Sequence, residues 1–166
     1  NYAIRTDVPV KDIRVPEIMD EIYRRISFGI GRPNNEPVDH EVLVKINKAE
    51  FIPQRKLFKL AQEQLGTVGA GNHFVDLFED AEGLLWIGVH FGSRGFGHKT
   101  TTGFIALSRG SSFDERVREG PMDSPPILFD INTDIGQSYI EAMTLAGEYA
   151  FAGRELVIKK VLEILG

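Results

Sequence analysis

The chain has no cysteine, one tryptophan, no long apolar run and no excess of basic residues. Without cysteine there is no disulfide scaffold, no thiolate zinc site and no Cys nucleophile within these residues. No apolar stretch approaches the roughly 18 residues that a membrane span needs, and the first residues lack the apolar stretch of a signal peptide. Lys and Arg number 19 against 24 Asp and Glu, a net charge of -5, so no global basic footprint marks a nucleic-acid or anionic-membrane binder, and only a local patch could. What is present, 166 residues of which 42% are apolar, is enough for one globular unit with a core of its own, and the expected location is cytoplasmic. The sequence opens on Asn1 without an initiator Met and stops at Gly166 inside a helical pattern, which predicts a piece of a larger domain.

Periodicity and punctuation predict an α+β fold, a mixed sheet with a central hairpin and helices packed around it. A helix is expected from Pro16 to about Phe28, stopped by Gly29 and Gly31. The Gly/Pro/Asn-rich residues 29 to 42 form a connection, and Val42 to Ile46 suit an extended piece or a helical turn equally. Pro53 opens a second helix that Gly66 ends. The β-prone segments 72 to 78 and 84 to 91 flank a polar stretch and predict a hairpin. Residues 108 to 126 read as a surface insertion, and the charge run Asp114 to Glu119 as a solvated face. Asp134 with Gln137 resembles a capping box before a long helix reaching Leu165, with Gly147 and Gly153 as its weak points. Trp86 is assigned to the core and His40 to solvent.

Two of the four histidines, His73 and His90, fall at one end of the hairpin. Pairing residues whose numbers sum to 163 sets them opposite each other, close enough to share a divalent cation; a one-residue slip would separate them. On spacing alone, two strand-end histidines satisfied by backbone groups are the favoured description, and two imidazoles make only half a site. In that register Asp76 lies on the other face and is a poor third ligand. Gly92-Ser-Arg-Gly-Phe-Gly-His98 follows His90 directly. It is not a Walker A loop, because His98 stands where Lys is required, but its glycines and Arg94 suit a phosphate. The bland description is a tight turn with one solvated Arg. A further Gly-rich loop, Gly66 to Gly71, precedes Asn72, which suits either a nucleotide contact or a turn cap.

Leu65-Gly-Thr-Val-Gly-Ala-Gly-Asn-His-Phe74 and Val89-His-Phe-Gly-Ser-Arg-Gly-Phe-Gly-His98 closely resemble the two central signatures of the RtcB RNA ligases. The segment with Gly136-Gln137, Tyr139, Ala142-Met143, Tyr149-Ala150 and Arg154 is similar to a further stretch of that family. The resemblance implies a GTP- and Mn2+-dependent ligase that joins RNA ending in a 3′-phosphate or 2′,3′-cyclic phosphate to RNA with a 5′-hydroxyl, in tRNA splicing or RNA repair. It implies His73 and His90 as manganese ligands, Asn72 and Asp76 as nucleotide contacts and Arg94 as a phosphate or RNA contact. Its RNA partners would be tRNA halves or other broken RNAs. Asp76 is shorter than the family's Glu, Phe91 stands where many members have Ser, and Gly153 stands where Asn is common. The family's Asp-x-x-Cys motif falls upstream of a segment like Asn1 to Thr6, and its guanylylated His falls beyond the equivalent of Gly166. The chain is therefore expected to be a partial catalytic domain without complete ligation activity or a catalytic residue of its own. Two other classes compete: a non-catalytic RNA-phosphate-binding module, and an unrelated Mn2+-dependent phosphoesterase using His73 and His90.

Overall fold

The computed structural model describes residues 1–117, 120–121 and 124–166. The charge run expected at 114–119 therefore lies partly outside the described residues, at Arg118 and Glu119; Asp114, Glu115 and Arg116 are exposed.

The fold is α+β, with three strands and, among the described residues, six α-helices. Strand β1 (Tyr2–Pro9) was not anticipated, although its alternation carries the signal: Tyr2 and Ile4 pack against the core while Ala3 and Arg5 face solvent. It pairs with β3 (Leu84–His90), which pairs with β2 (Phe74–Glu79), giving the order β1-β3-β2. Both ladders are antiparallel, so the expected mixed sheet is corrected; the one parallel pairing among the described residues is the isolated bridge Phe28–Val68.

The hairpin exists where expected but in a different register. Phe74 stands opposite His90 and Val75 opposite Val89, one residue away from the predicted pairing. The cause is the turn. Gly83 adopts φ +78°, and Gly83 N donates to Asp80 O while Asp80 N donates to Leu84 O, so three residues close the loop and Asp80 pairs with Leu84. An odd loop makes the paired numbers sum to an even value. Asp80 reinforces the turn, its Oδ1 accepting the amides of Glu82 and Leu84 at 3.0 Å each. The inward face of β2 and β3 carries Val75, Leu85, Ile87 and Val89, all buried.

Helix α1 (Val15–Arg25) has Pro within its first two positions, Glu17 in its first turn and Arg24 and Arg25 in its last, matching the helix dipole. It ends earlier than predicted, because Phe28 leaves to bridge Val68. The ambiguous segment is helix α2 (Glu41–Asn47). His40 caps it, its Nδ1 accepting the amide of Val42 at 3.1 Å, so His40 has a structural partner rather than a purely solvated place. The predicted second helix is two pieces, α3 (Ile52–Arg55) and α4 (Phe58–Gln64). Within α3 the buried Gln54 donates to the Ala142 carbonyl at 2.9 Å.

Helix α5 (Arg94–Ser108) packs on α6 (Asp134–Leu165), an unbroken helix about 48 Å long by its 32 residues. The cap of α6 is Thr133, whose Oγ1 accepts the amide of Gly136 at 3.2 Å, rather than Asp134; the Gln137 side chain reaches back to the Ile131 carbonyl. One helix joins three apolar clusters. Ala142 meets Phe104 and Phe113, Tyr149 and Ala152 meet Leu43, Ile46 and Phe96, and Val157, Ile158 and Val161 cover the sheet. The segment after α5 is not purely surface, because Phe113 is buried in the first of these clusters.

Candidate metal and phosphate site

The site is assembled where the hairpin, the loop after α4 and the start of α5 converge. His73 directly precedes β2 and is therefore not bound by the pleat. Despite the changed register, its ring centre lies 5.8 Å from that of His90, at an interplanar angle of 66°. A metal–nitrogen bond near 2.1 Å puts an ion about 3.2 Å from a ring centre. Two imidazoles can thus share one ion at centroid separations up to about 6.4 Å, and the observed separation lies within that reach.

The residues fit a cation in a second respect. His73 Nδ1 is buried with no hydrogen-bond partner among the described residues, packed against Gly69, where a Cβ would stand 1.9 Å away. Burial, the Arg94 guanidinium and His90 together hold the His73 imidazole below its ordinary pKa, so the neutral form a metal requires is favoured. His90 is fixed by Asn1, whose Oδ1 bonds His90 Nδ1, and by stacking on Phe74 at 5.5 Å. No group of three or more His, Asp or Glu is placed to hold an ion among the described residues, so the pair could offer at most two ligands.

The changed register also corrects the reading of Asp76. It lies opposite Gly88, hence on the same sheet face as His90 and diagonal to it, rather than on the opposite face. Asn72 is exposed on the loop before His73. Trp86 is half-buried on the outer face, its Nε1 donating to Asp80 Oδ2 at 2.9 Å, so it is not a core residue.

The glycine-dense segment after His90 is not an open loop. Arg94 begins α5, so residues 92–97 form a helix N-terminus, where free amides and the helix dipole favour an anion. Arg94 has φ +52°. Its Nη2 donates to the Gly29 carbonyl at 3.0 Å and its Nε to Thr67 Oγ1 at 3.3 Å, leaving Nη1 without a protein hydrogen bond among the described residues. Burial lowers its pKa, yet a guanidinium remains charged at neutral pH. Among the described residues, no carboxylate pairs with it. Arg94 and His73 share a cleft of about 690 Å³ with Ser93, Gly95, His98 and Lys99, and among the described residues no Asp or Glu lines it. A half-buried cation at a helix N-terminus, with no carboxylate beside it and no acid lining its cleft among the described residues, is chemically suited to an anion.

The supports of this site were not visible in the sequence: Asn1 on His90, Thr67 and Gly29 on Arg94, Gln64 on Gly95, and Arg154, whose Nη1 donates to the Phe91 carbonyl at 2.9 Å.

Comparison with known proteins decides the relationship. The family model described as tRNA-splicing ligase RtcB matches residues 34–166. The chain belongs to the RtcB family. Among RtcB relatives, the tRNA-splicing ligase RtcB of Methanopyrus kandleri is 32% identical over 93% of this chain and 22% of its own length. That of Pyrobaculum aerophilum is 26% identical over 97% of this chain and 42% of its own length. RNA-splicing ligase RtcB homolog 1 of Entamoeba dispar is 32% identical over 95% and 37%. The chain thus spans less than half the length of these RtcB relatives. Among the described residues, no helix is long and apolar enough to cross a membrane.

Proposed function

We propose that this chain is the phosphate- and metal-holding part of a GTP- and Mn2+-dependent RNA ligase that joins 3′-phosphate or 2′,3′-cyclic phosphate ends to 5′-hydroxyl ends of tRNA halves or broken RNAs. The observation that carries the reading is Arg94, a half-buried cation with no carboxylate partner beside two imidazoles within reach of one ion.

His73 and His90 would hold Mn2+, which when bound neutralises charge on a phosphoryl group undergoing transfer. Arg94 Nη1 would orient that phosphate, helped by the dipole at the start of α5, with Gly29 and Thr67 preventing the guanidinium from swinging away. Asn72 and Asp76 flank the pair on the hairpin side and would contact the guanosine. With two ligands rather than a full set among the described residues, the chain alone is expected to bind RNA phosphate and Mn2+ weakly and not to complete ligation.

Calorimetric Mn2+ titration tests the metal half. His73→Ala and His90→Ala are each expected to weaken binding at least about tenfold, and unchanged affinity in both removes the paired-ligand assignment. The non-catalytic binding-module reading gains if Arg94→Ala abolishes RNA binding while neither histidine variant alters Mn2+ affinity.

A further inference from the structure

Arg94 is held in an unfavourable state in two ways. Its φ of +52° lies in the left-handed region that non-glycine residues rarely adopt, and its charge is half-buried without an anionic partner among the described residues. Gln64, the last residue of α4 and only 4% exposed, acts on both. Its side-chain Oε1 accepts the amide of Gly95 at 2.8 Å, fixing the peptide that follows Arg94. Its main-chain carbonyl accepts the Thr67 amide at 3.1 Å and the Thr67 hydroxyl at 2.7 Å. That hydroxyl, its proton committed, presents a lone pair to Arg94 Nε at 3.3 Å. The approach is close enough to exclude a side chain, because a Cβ on Gly95 would lie 2.7 Å from Gln64 Oε1.

We infer that Gln64 is a positioning residue that presents Arg94 to a phosphate, holding its backbone through Gly95 and its guanidinium through Thr67. The inference rests on the reading of Arg94 as a phosphate-binding side chain. Gln64 makes the guanidinium available in one orientation, with Nη1 left for the ligand, and its side chain need not touch that ligand itself.

The test titrates a short single-stranded RNA with a 3′-phosphate against the whole chain at several salt concentrations, using wild type, Gln64→Met, Gln64→Glu, Arg94→Ala and the double variant Gln64→Met/Arg94→Ala. Gln64→Met is expected to weaken binding about tenfold and to lower the slope of log affinity against log salt by about one, as Arg94→Ala does. Gln64→Glu keeps an acceptor for the Gly95 amide but brings a carboxylate into the cleft, and is expected to bind the RNA more weakly than wild type while the Arg94 Nε–H proton still exchanges slowly, because the clamp is intact. The double variant is expected to bind no more weakly than Arg94→Ala alone, which a general loss of structure would not produce. Additive losses in the double variant overturn the inference. So does wild-type affinity in Gln64→Met while Arg94→Ala is defective, a result that leaves the reading of Arg94 intact. Wild-type affinity in Arg94→Ala refutes that reading and the inference with it. If Gln64→Met does not fold, the Arg94 Nε–H proton resonance of the native protein decides: slow exchange with water supports the clamp, and rapid exchange overturns it.

Discussion

The departures from the family pattern at Phe91 and Gly153 are one contact, and a double-mutant cycle measures it. Phe91 is 3% exposed, directly follows His90, and belongs to the cluster between sheet and α6. A Cβ placed on Gly153 would lie 3.2 Å from Phe91 Cε2, tighter than ordinary carbon contacts, and at an ordinary 3.5 Å from the Gly66 amide nitrogen. Gly153→Ala therefore combines two terms. Helix propensity favours Ala by about 1 kcal/mol. Crowding a ring enclosed by core side chains costs about 1–3 kcal/mol. The single variant should be neutral to about 2 kcal/mol less stable. Phe91→Leu alone, which removes part of a buried ring, should cost about 1–2 kcal/mol. In the Phe91→Leu background the crowding is relieved and only the propensity gain remains. Gly153→Ala should then stabilise by about 1 kcal/mol, and the coupling should equal the crowding term, about 1–3 kcal/mol. The assay is urea denaturation followed by far-UV circular dichroism, comparing midpoints at a common m-value. Additivity within about 0.5 kcal/mol would refute the claim that the large residue at 91 requires the small one at 153.

Two further predictions concern the turn and the histidine pocket. Arg5, the Leu84 amide and the Trp86 indole hold the Asp80 carboxyl well below the usual carboxylate range. A depressed folded-state pKa stabilises fully above the ordinary value of about 4 and is lost as pH falls below it; Asp80→Asn should flatten the acid limb of the stability curve, read by fluorescence of the sole Trp, and parallel wild-type and variant curves there would count against it. Gly69→Ala would place a Cβ 1.9 Å from His73 Nδ1 and 2.5 Å from Arg94 Nη1, displacing both side chains; Mn2+ and 3′-phosphate RNA affinity should fall together by about tenfold or more, and retention of both would show that the pocket tolerates what the geometry forbids.

The hairpin was legible in the sequence because two β-prone runs flank a polar turn, but its register was not. Register depends on whether the loop is odd or even, and that depends on Gly83 adopting φ +78° to close a three-residue turn. The signature Asp80-x-x-Gly83 could have signalled it. The histidine pair survived the error for a reason periodicity cannot supply: His73 precedes the first ladder residue, so its side chain is not assigned to a face by the pleat. Asp76, inside the ladder, had no such freedom and moved to the face of His90. Helix α2 was undecidable locally, since Val42, Val44 and Ile46 suit either structure. Tertiary burial of Val42, Leu43 and Ile46, with His40 as cap, settles it.

The glycine-rich run after His90 suggested an anion site for an incomplete reason. Read as a loop, its glycines would free backbone amides to converge on a phosphate. In the structure Gly95 leaves room for Gln64 Oε1, and Gly97 leaves room for Ser93 Oγ, which a Cβ would meet at 1.7 Å. These glycines permit close packing at the first turn of a helix, and the case for an anion rests on that helix end and on Arg94. This also reconciles the site with an acidic chain. A net charge of -5 says nothing about a cleft that no carboxylate lines among the described residues, and a half-buried guanidinium there is less screened than the acids on the solvated surface. Local exclusion of carboxylates rather than overall charge is what makes this surface a candidate for phosphate.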